Sequence, residues 1–252
     1  MLVAIRESDG ARVLAEGAQK QNKPFTCPVC RGPVVLKQGM KVIHHYAHAR
    51  SATCHFGTGE SREHMRAKLA VYKALKTHNR VVRCEVEWPF QGSIPDVMAR
   101  LSGPGGSSVV AFEIQRTALT VQDLIKRTRR YQRHNVSVLW MGLHREELDD
   151  HETNIRHWER WMHAAYFGRA YYWSQGATVR AYHFQPATSW VEQTDFGGGY
   201  ERTLKTRKQP LEAPRPLHLV DDFRTHHQPG FAGGDVVVPR FRVWRDQQQK
   251  WW

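Results

Sequence analysis

Pro95-Asp96-Val97-Met98-Ala99-Arg100-Leu101, followed after a break by Val109-Val110-Ala111-Phe112-Glu113-Ile114-Gln115, is the stretch that decides the fold. From Asp96 to Leu101, and again from Val109 to Gln115, the chain reads as strand, and the second run is the most β-like in the sequence. Gly103 to Ser108 between them is a loop signal. A hairpin of this length brings Asp96 beside Glu113, 17 positions further on. Working outward, Val81 to Phe90 reads as a strand ended by Pro89 and the Gly92-Ser93 turn. Before it, Met65, Leu69, Tyr72 and Leu75 recur at spacings of three and four, which predicts a helix from Glu60 with Thr58 or Gly59 as its cap. After the hairpin, Thr120 to His134 collects Val121, Leu124, Ile125, Thr128 and Tyr131 on one helical face, and Val136 to Leu143 is an apolar strand. Helix, three strands, helix, strand is the order of an α/β protein with a mixed sheet flanked by helices.

The ends are read the same way. Met1 to Ile5 and Ala11 to Ala15 flank Ser8-Asp9-Gly10 and predict an opening β-hairpin, followed by a cysteine-rich segment with a short strand at Val34 to Leu36. A helix capped by Asp149 or Asp150 is expected to carry Ile155, Trp158, Trp161 and Met162, and Tyr171 to Phe184 reads as a hairpin turning at Gln175-Gly176. Beyond about Trp190 the composition shifts to Gly, Pro, Gln and charge, so a mostly flexible tail is expected. The expected domains are a small β-rich metal module at 1–57, a catalytic core at 58–145, a helix and hairpin extension at 146–190, and a low-complexity tail at 191–252.

Lys and Arg number 37 against 24 Asp and Glu, a net charge of +13, which points to a polyanionic partner. The basic residues cluster at Lys126 to Arg130 and at Arg202 to Lys208. No apolar run approaches the roughly 18 residues that cross a bilayer, and no signal-peptide pattern opens the chain, so a cytoplasmic protein without a membrane partner is expected. In a reducing compartment, three cysteines within 28 positions read as metal ligands rather than disulfide partners.

Cys27-Pro28-Val29-Cys30 has the spacing that aims two thiolates at one tetrahedral zinc ion. His44, His45, His48 and Cys54 can complete it; Cys27, Cys30, His48 and Cys54 are the favoured set, with His45 the rival to His48. Four closed ligands make a structural site that stabilises a segment too short to build its own core. Asp96 and Glu113 have a different chemistry. Carboxylates on adjacent strands hold Mg²⁺ or Mn²⁺ through oxygen, and such an ion polarises a phosphodiester and activates a water. Either carboxylate alone reads as a surface residue; the pair carries the inference.

Pro95-Asp96 and Glu113-Ile114-Gln115, preceded by Glu60-Ser61-Arg62-Glu63-His64 and Lys68, resemble the competence protein CoiA-like family, a branch of the PD-(D/E)xK nucleases. Cys27-Pro28-Val29-Cys30 and His45-Tyr46-Ala47-His48 resemble its zinc-finger-like segment, and Arg127 with Tyr131 resembles its later Arg and Tyr positions. The likeness runs from about Leu2 to Leu143. It implies a restriction-endonuclease-like core, Mg²⁺ dependence and a role in processing DNA that a bacterial cell takes up or recombines. It makes Asp96 and Glu113 metal ligands, puts Gln115 at the motif's lysine position, and leaves Glu60 or Glu63 to complete the site. Glu60, His64 and Lys68 share one helical face at spacings of four, with Glu63 beside it. Gln115 departs from the motif, since an amide hydrogen-bonds but carries no charge; Lys68 or Arg127 are the cations that could replace it. Lys68, Arg127, Arg130 and Tyr131 are the expected nucleic-acid contacts. The expected activity is hydrolysis of DNA, single-stranded or branched forms included. The competing readings are a nucleic-acid-binding protein that keeps the fold without cutting and a protein-interaction module built on the zinc segment.

Overall fold

The computed structural model describes residues 1–49, 53–103, 106–116, 119–193, 197–234 and 236–252. They form two compact units, one of residues 1–114 with 175–177 and one of residues 115–174 with 178–252.

The first unit opens with five short strands, β1 (Val3–Arg6), β2 (Arg12–Leu14), β3 (Phe25–Thr26), β4 (Pro33–Lys37) and β5 (His45–His48). They pair antiparallel in the order β2-β1-β3-β4-β5. The expected opening hairpin is present, and its turn is built by Asp9, whose Oδ1 accepts the Ala11 N–H at 3.1 Å. Met1, Ala4, Phe25, Val34, Leu36 and Tyr46 form a small core on one face of this sheet. Helix α1 (Arg62–Lys76) follows, burying Met65, Leu69, Val71 and Leu75. Its cap is Ser61, whose Oγ accepts the His64 N–H at 3.1 Å, and neither Thr58 nor Gly59. A serine hydroxyl satisfies an orphan N–H of the first turn, which glycine cannot do.

Strands β6 (Val81–Val86), β7 (Val97–Gly103) and β8 (Gly106–Gln115) then run as an antiparallel meander. The expected strand Val81 to Phe90 stops at Val86 because Glu87 takes a left-handed backbone, φ +51°. Of the expected Gly103 to Ser108 loop, residues 104–105 lie outside the described residues; β7 and β8 pair up to Gly103 and Gly106. Val97, the first residue of β7, pairs with Phe112, so Asp96 immediately precedes β7 beside the end of β8 that carries Glu113.

The second unit contains α2 (Val121–Arg133), β9 (Ser137–Leu143), β10 (Thr153–Asn154), α3 (His157–Ala165), β11 (Ala170–Gln175), β12 (Thr178–Gln193), β13 (Gly198–Glu212), β14 (Leu217–His218), β15 (Phe223–Gln228), β16 (Phe231–Gly233), β17 (Val236–Val238) and β18 (Phe241–Asp246). Its sheet is mixed. β9 runs parallel to β11 and to β18, while β12 with β13 and β15 with β18 are antiparallel. Helix α3 starts at Arg156, where Glu159 Oε2 reaches back to the Arg156 N–H at 2.7 Å. Neither Asp149 nor Asp150, the expected caps, serves there; Asp149 accepts from Arg180 Nη2 at 2.9 Å.

The residues expected to form a flexible tail carry strands. Leu217, Val220, Phe223, Val238, Phe241, Val243 and Trp244 are buried, and Trp244 Nε1 donates to the Leu219 carbonyl at 2.7 Å. Polar composition averaged over the segment hides this, because alternation in β18 needs only one apolar face and a partner strand. No helix among the described residues is long and apolar enough to cross a membrane.

Candidate functional site

The metal module is built at the turn between β3 and β4. Its chain reverses through an Arg31 N–H to Cys27 carbonyl bond of 3.0 Å, with Arg31 in the left-handed region at φ +61°. That reversal points two backbone donors at the thiols. Val29 N–H approaches Cys27 Sγ at 3.3 Å and Gly32 N–H approaches Cys30 Sγ at 3.4 Å. Burial pushes the Cys27 thiol up to about 11, whereas the Gly32 N–H leads the Cys30 thiol downward. Cys30 Sγ lies 3.4 Å from His48 Nε2. Donor atoms of Cys27, Cys30, His48 and Cys54 all fall within 4.8 Å of one another, a separation that four ligands of one tetrahedral ion need. His45 is outside this group, with Nδ1 at 2.9 Å from the Ile43 carbonyl. Residues 45 and 48 sit on one strand at an odd spacing, so their side chains leave opposite faces and only one can turn to the cysteines.

The acidic cluster draws on α1, the segment after β6, and the head of β7. Glu60, His64 and Asp96 offer donor atoms within 4.8 Å of one another. His64 Nε2 is 3.1 Å from Asp96 Oδ2, and its Nδ1 is 3.5 Å from Glu60 Oε1. Asp96 Oδ2 also accepts the Ile114 N–H at 2.8 Å, which fixes the carboxylate against β8. Burial works to raise the Asp96 carboxyl, but His64, Lys68 and the Ile114 N–H outweigh it and hold it at about 2. The same contest, burial against Asp96 and Glu60, leaves the His64 imidazole above its ordinary value. Glu60 is drawn below its ordinary value by Lys68 against the opposing effect of burial. At neutral pH the cluster is therefore anionic at Glu60 and Asp96.

Not every expected residue joins it. Glu60 faces the cluster and Glu63 is exposed on the first turn of α1. Glu113 is 1% exposed on β8 and stands outside the Glu60, His64 and Asp96 group, and Gln115 ends β8 as a buried residue. Lys68, expected as a nucleic-acid contact, is 1% exposed and bonded to Glu60 and Glu87, so its charge is spent internally. Tyr131, the second such expectation, is buried in the core and cannot reach a ligand from there. Arg127 stacks over the buried Trp140 ring at 5.1 Å, while Arg130 lines a concave surface of about 430 Å³ with Gln122, Ile125, Lys126, Arg129 and Arg133.

Sequence reasoning missed Glu87. Its carboxylate meets Lys68 Nζ at 2.5 Å and accepts the N–H groups of Leu2 and Val3 at 2.7 and 3.2 Å. The available signal was an acid at the end of a β-like run, directly before Trp88-Pro89.

A family model described as the N-terminal domain of competence protein CoiA matches residues 13–57, and one described as its nuclease-like domain matches residues 60–191. The competence protein CoiA of Bacillus subtilis (strain 168) is 29% identical over 152 residues, which are 57% of this chain and 40% of that protein. The chain thus spans about two fifths of the length of the curated relative it matches. No solved structure matches the chain significantly.

Proposed function

The chain belongs to the competence protein CoiA family, and from that premise we propose that it is a metal-dependent deoxyribonuclease of the PD-(D/E)xK type acting on incoming or recombining DNA. The observation that carries this reading is the half-buried Glu60, His64 and Asp96 cluster, whose Asp96 immediately precedes β7 and is fixed by the Ile114 N–H of β8, the residue after Glu113. Asp96 and Glu60, with His64 and Glu113, would hold Mg²⁺ or Mn²⁺. Such an ion supplies Lewis acidity to the scissile phosphate and lowers the pKa of a water.

The protein's own residues prepare that chemistry. Asp96, ionised throughout the neutral range, is oriented by the Ile114 N–H, so its free oxygen keeps a constant direction. His64 lies between the two carboxylates, with Nε2 3.1 Å from Asp96 Oδ2 and Nδ1 3.5 Å from Glu60 Oε1. Gln115 offers a hydrogen-bonding amide at the position where the motif has a lysine. The basic face of α2, with Lys126, Arg129, Arg130 and Arg133, supplies phosphate contacts that carry little sequence information. Cys27, Cys30, His48 and Cys54 would hold a structural Zn²⁺, making residues 1–57 a module that depends on its metal.

A second reading, a nucleic-acid-binding protein that retains the fold without cutting, is favoured by one observation: Gln115 carries no charge. Incubating labelled single-stranded, duplex and branched DNA with the protein and Mg²⁺ or Mn²⁺ separates the two. Cleavage supports the nuclease, whereas salt-sensitive binding without cleavage supports the alternative.

A further inference from the structure

Lys68 has no part in the chemistry above, yet it is buried at the centre of the acidic cluster. Its ammonium bonds to Glu60, meets Glu87 Oε1 at 2.5 Å and lies 3.9 Å from Asp96 Oδ1. An ammonium has three N–H donors and no acceptor; two of them go to Glu60 and Glu87, while Asp96 acts on it as a neighbouring charge. Glu87 prevents it from swinging out. That side chain is 1% exposed, its second oxygen is taken by the Leu2 and Val3 N–H groups, and Arg12 Nη2 holds the carbonyls of Val86 and Glu87 at 3.0 and 3.2 Å.

We propose that Lys68 is a built-in cation of this site, pinned by Glu87, and that it limits the cluster to a single divalent metal ion. The inference rests on the metal-dependent reading and adds the number of ions. A second divalent ion among Glu60, Glu87 and Asp96 would stand within a few ångströms of a fixed positive charge, where a low dielectric makes the repulsion strong. Glu87 gives one oxygen to Lys68 and the other to the Leu2 and Val3 N–H groups, so such an ion would compete with Lys68 for it. Two-ion sites that clamp both the attacking and the leaving oxygen need carboxylates uncommitted on both sides, and here one side is filled by protein. Glu87 is thus a positioning residue that acts through Lys68.

The test is a Mn²⁺ titration of the full-length, zinc-loaded protein without nucleic acid, following free Mn²⁺ by electron paramagnetic resonance. Asp96→Asn serves as the reference for ions held elsewhere. One Mn²⁺ per chain that is lost in Asp96→Asn is expected, and Lys68→Met is expected to admit a second ion or to bind the first at least tenfold tighter. Two Asp96-dependent ions in the wild type would overturn the proposal, as would a Lys68→Met protein unchanged in both number and affinity. Should Lys68→Met fail to fold, the wild-type count alone decides. No Asp96-dependent Mn²⁺ at all would remove the metal-dependent reading beneath the proposal, a result distinct from a count of two.

Discussion

Glu87 and Lys68 are the residues on which the first unit turns. A buried ammonium costs several kcal/mol unless its partners are in place, and removing one partner leaves that cost uncompensated. Glu87→Ala should therefore destabilise the protein by about 3 to 5 kcal/mol, measured as a fall in the urea midpoint, and a variant within 1 kcal/mol of wild type, the range of a surface ion pair, would contradict the pairing. The spacing of four between His64 and Lys68 on α1 was legible, whereas Glu60, expected on the same helix, precedes its Ser61 cap and reaches Lys68 from the loop before it. Glu87 was not legible, because its role depends on a left-handed backbone that turns its carboxylate toward α1 and the N–H groups of β1, and no periodicity reports that. Tyr131 shows the converse. Its position on the apolar face of α2 already implied burial, and only the family resemblance suggested a ligand contact.

At the scale of elements, β5 decides between two histidines. His48→Ala should release zinc from the module, measured by a colorimetric chelator, while His45→Ala should retain it. Equal loss in both would remove the strand-face argument. Helix α2 makes a separate prediction: reversing charge at Arg129 and Arg133 should weaken oligonucleotide binding and flatten its dependence on salt by about one phosphate contact per residue. The packing of α3 against β12 sets a pH response. His163 Nε2 accepts the Phe184 N–H at 3.1 Å, and burial, then the facing His183 and Lys208, lower its imidazole to about 4. An unfolded histidine takes its proton near 6.5, so between about pH 6.5 and 4 the unfolded chain binds more protons and stability falls as pH drops. The loss reaches about 3 kcal/mol across that window and should be absent from the His163→Gln urea midpoints; an identical pH slope in that variant would exclude His163 as the source. The α/β order of these elements was readable from hydrophobic period alone, whereas this histidine pair was not, since it forms only once β12 packs on α3.

For the whole molecule, the segment after Trp190 is where sequence reading failed, because Gly, Pro and Gln averaged over its 62 positions conceal strands that need partners to be recognised. Trp244 is buried beside Leu219, and Trp244→Ala should cost about 3 to 5 kcal/mol, a value that a flexible tail would not give. The net charge of +13 points to a polyanionic partner, and the basic face of α2 displays part of that charge. Nuclease activity of this chain requires the acidic cluster to be a catalytic metal site. The decisive measurement is cleavage of labelled single-stranded, duplex and branched DNA with Mg²⁺ or Mn²⁺ by the wild type, Asp96→Ala and Glu113→Ala, with binding followed in parallel. Cutting should disappear in both variants while binding persists; cutting that survives in Asp96→Ala, or no cutting by the wild type with any of these substrates, would rule out a catalytic metal site there.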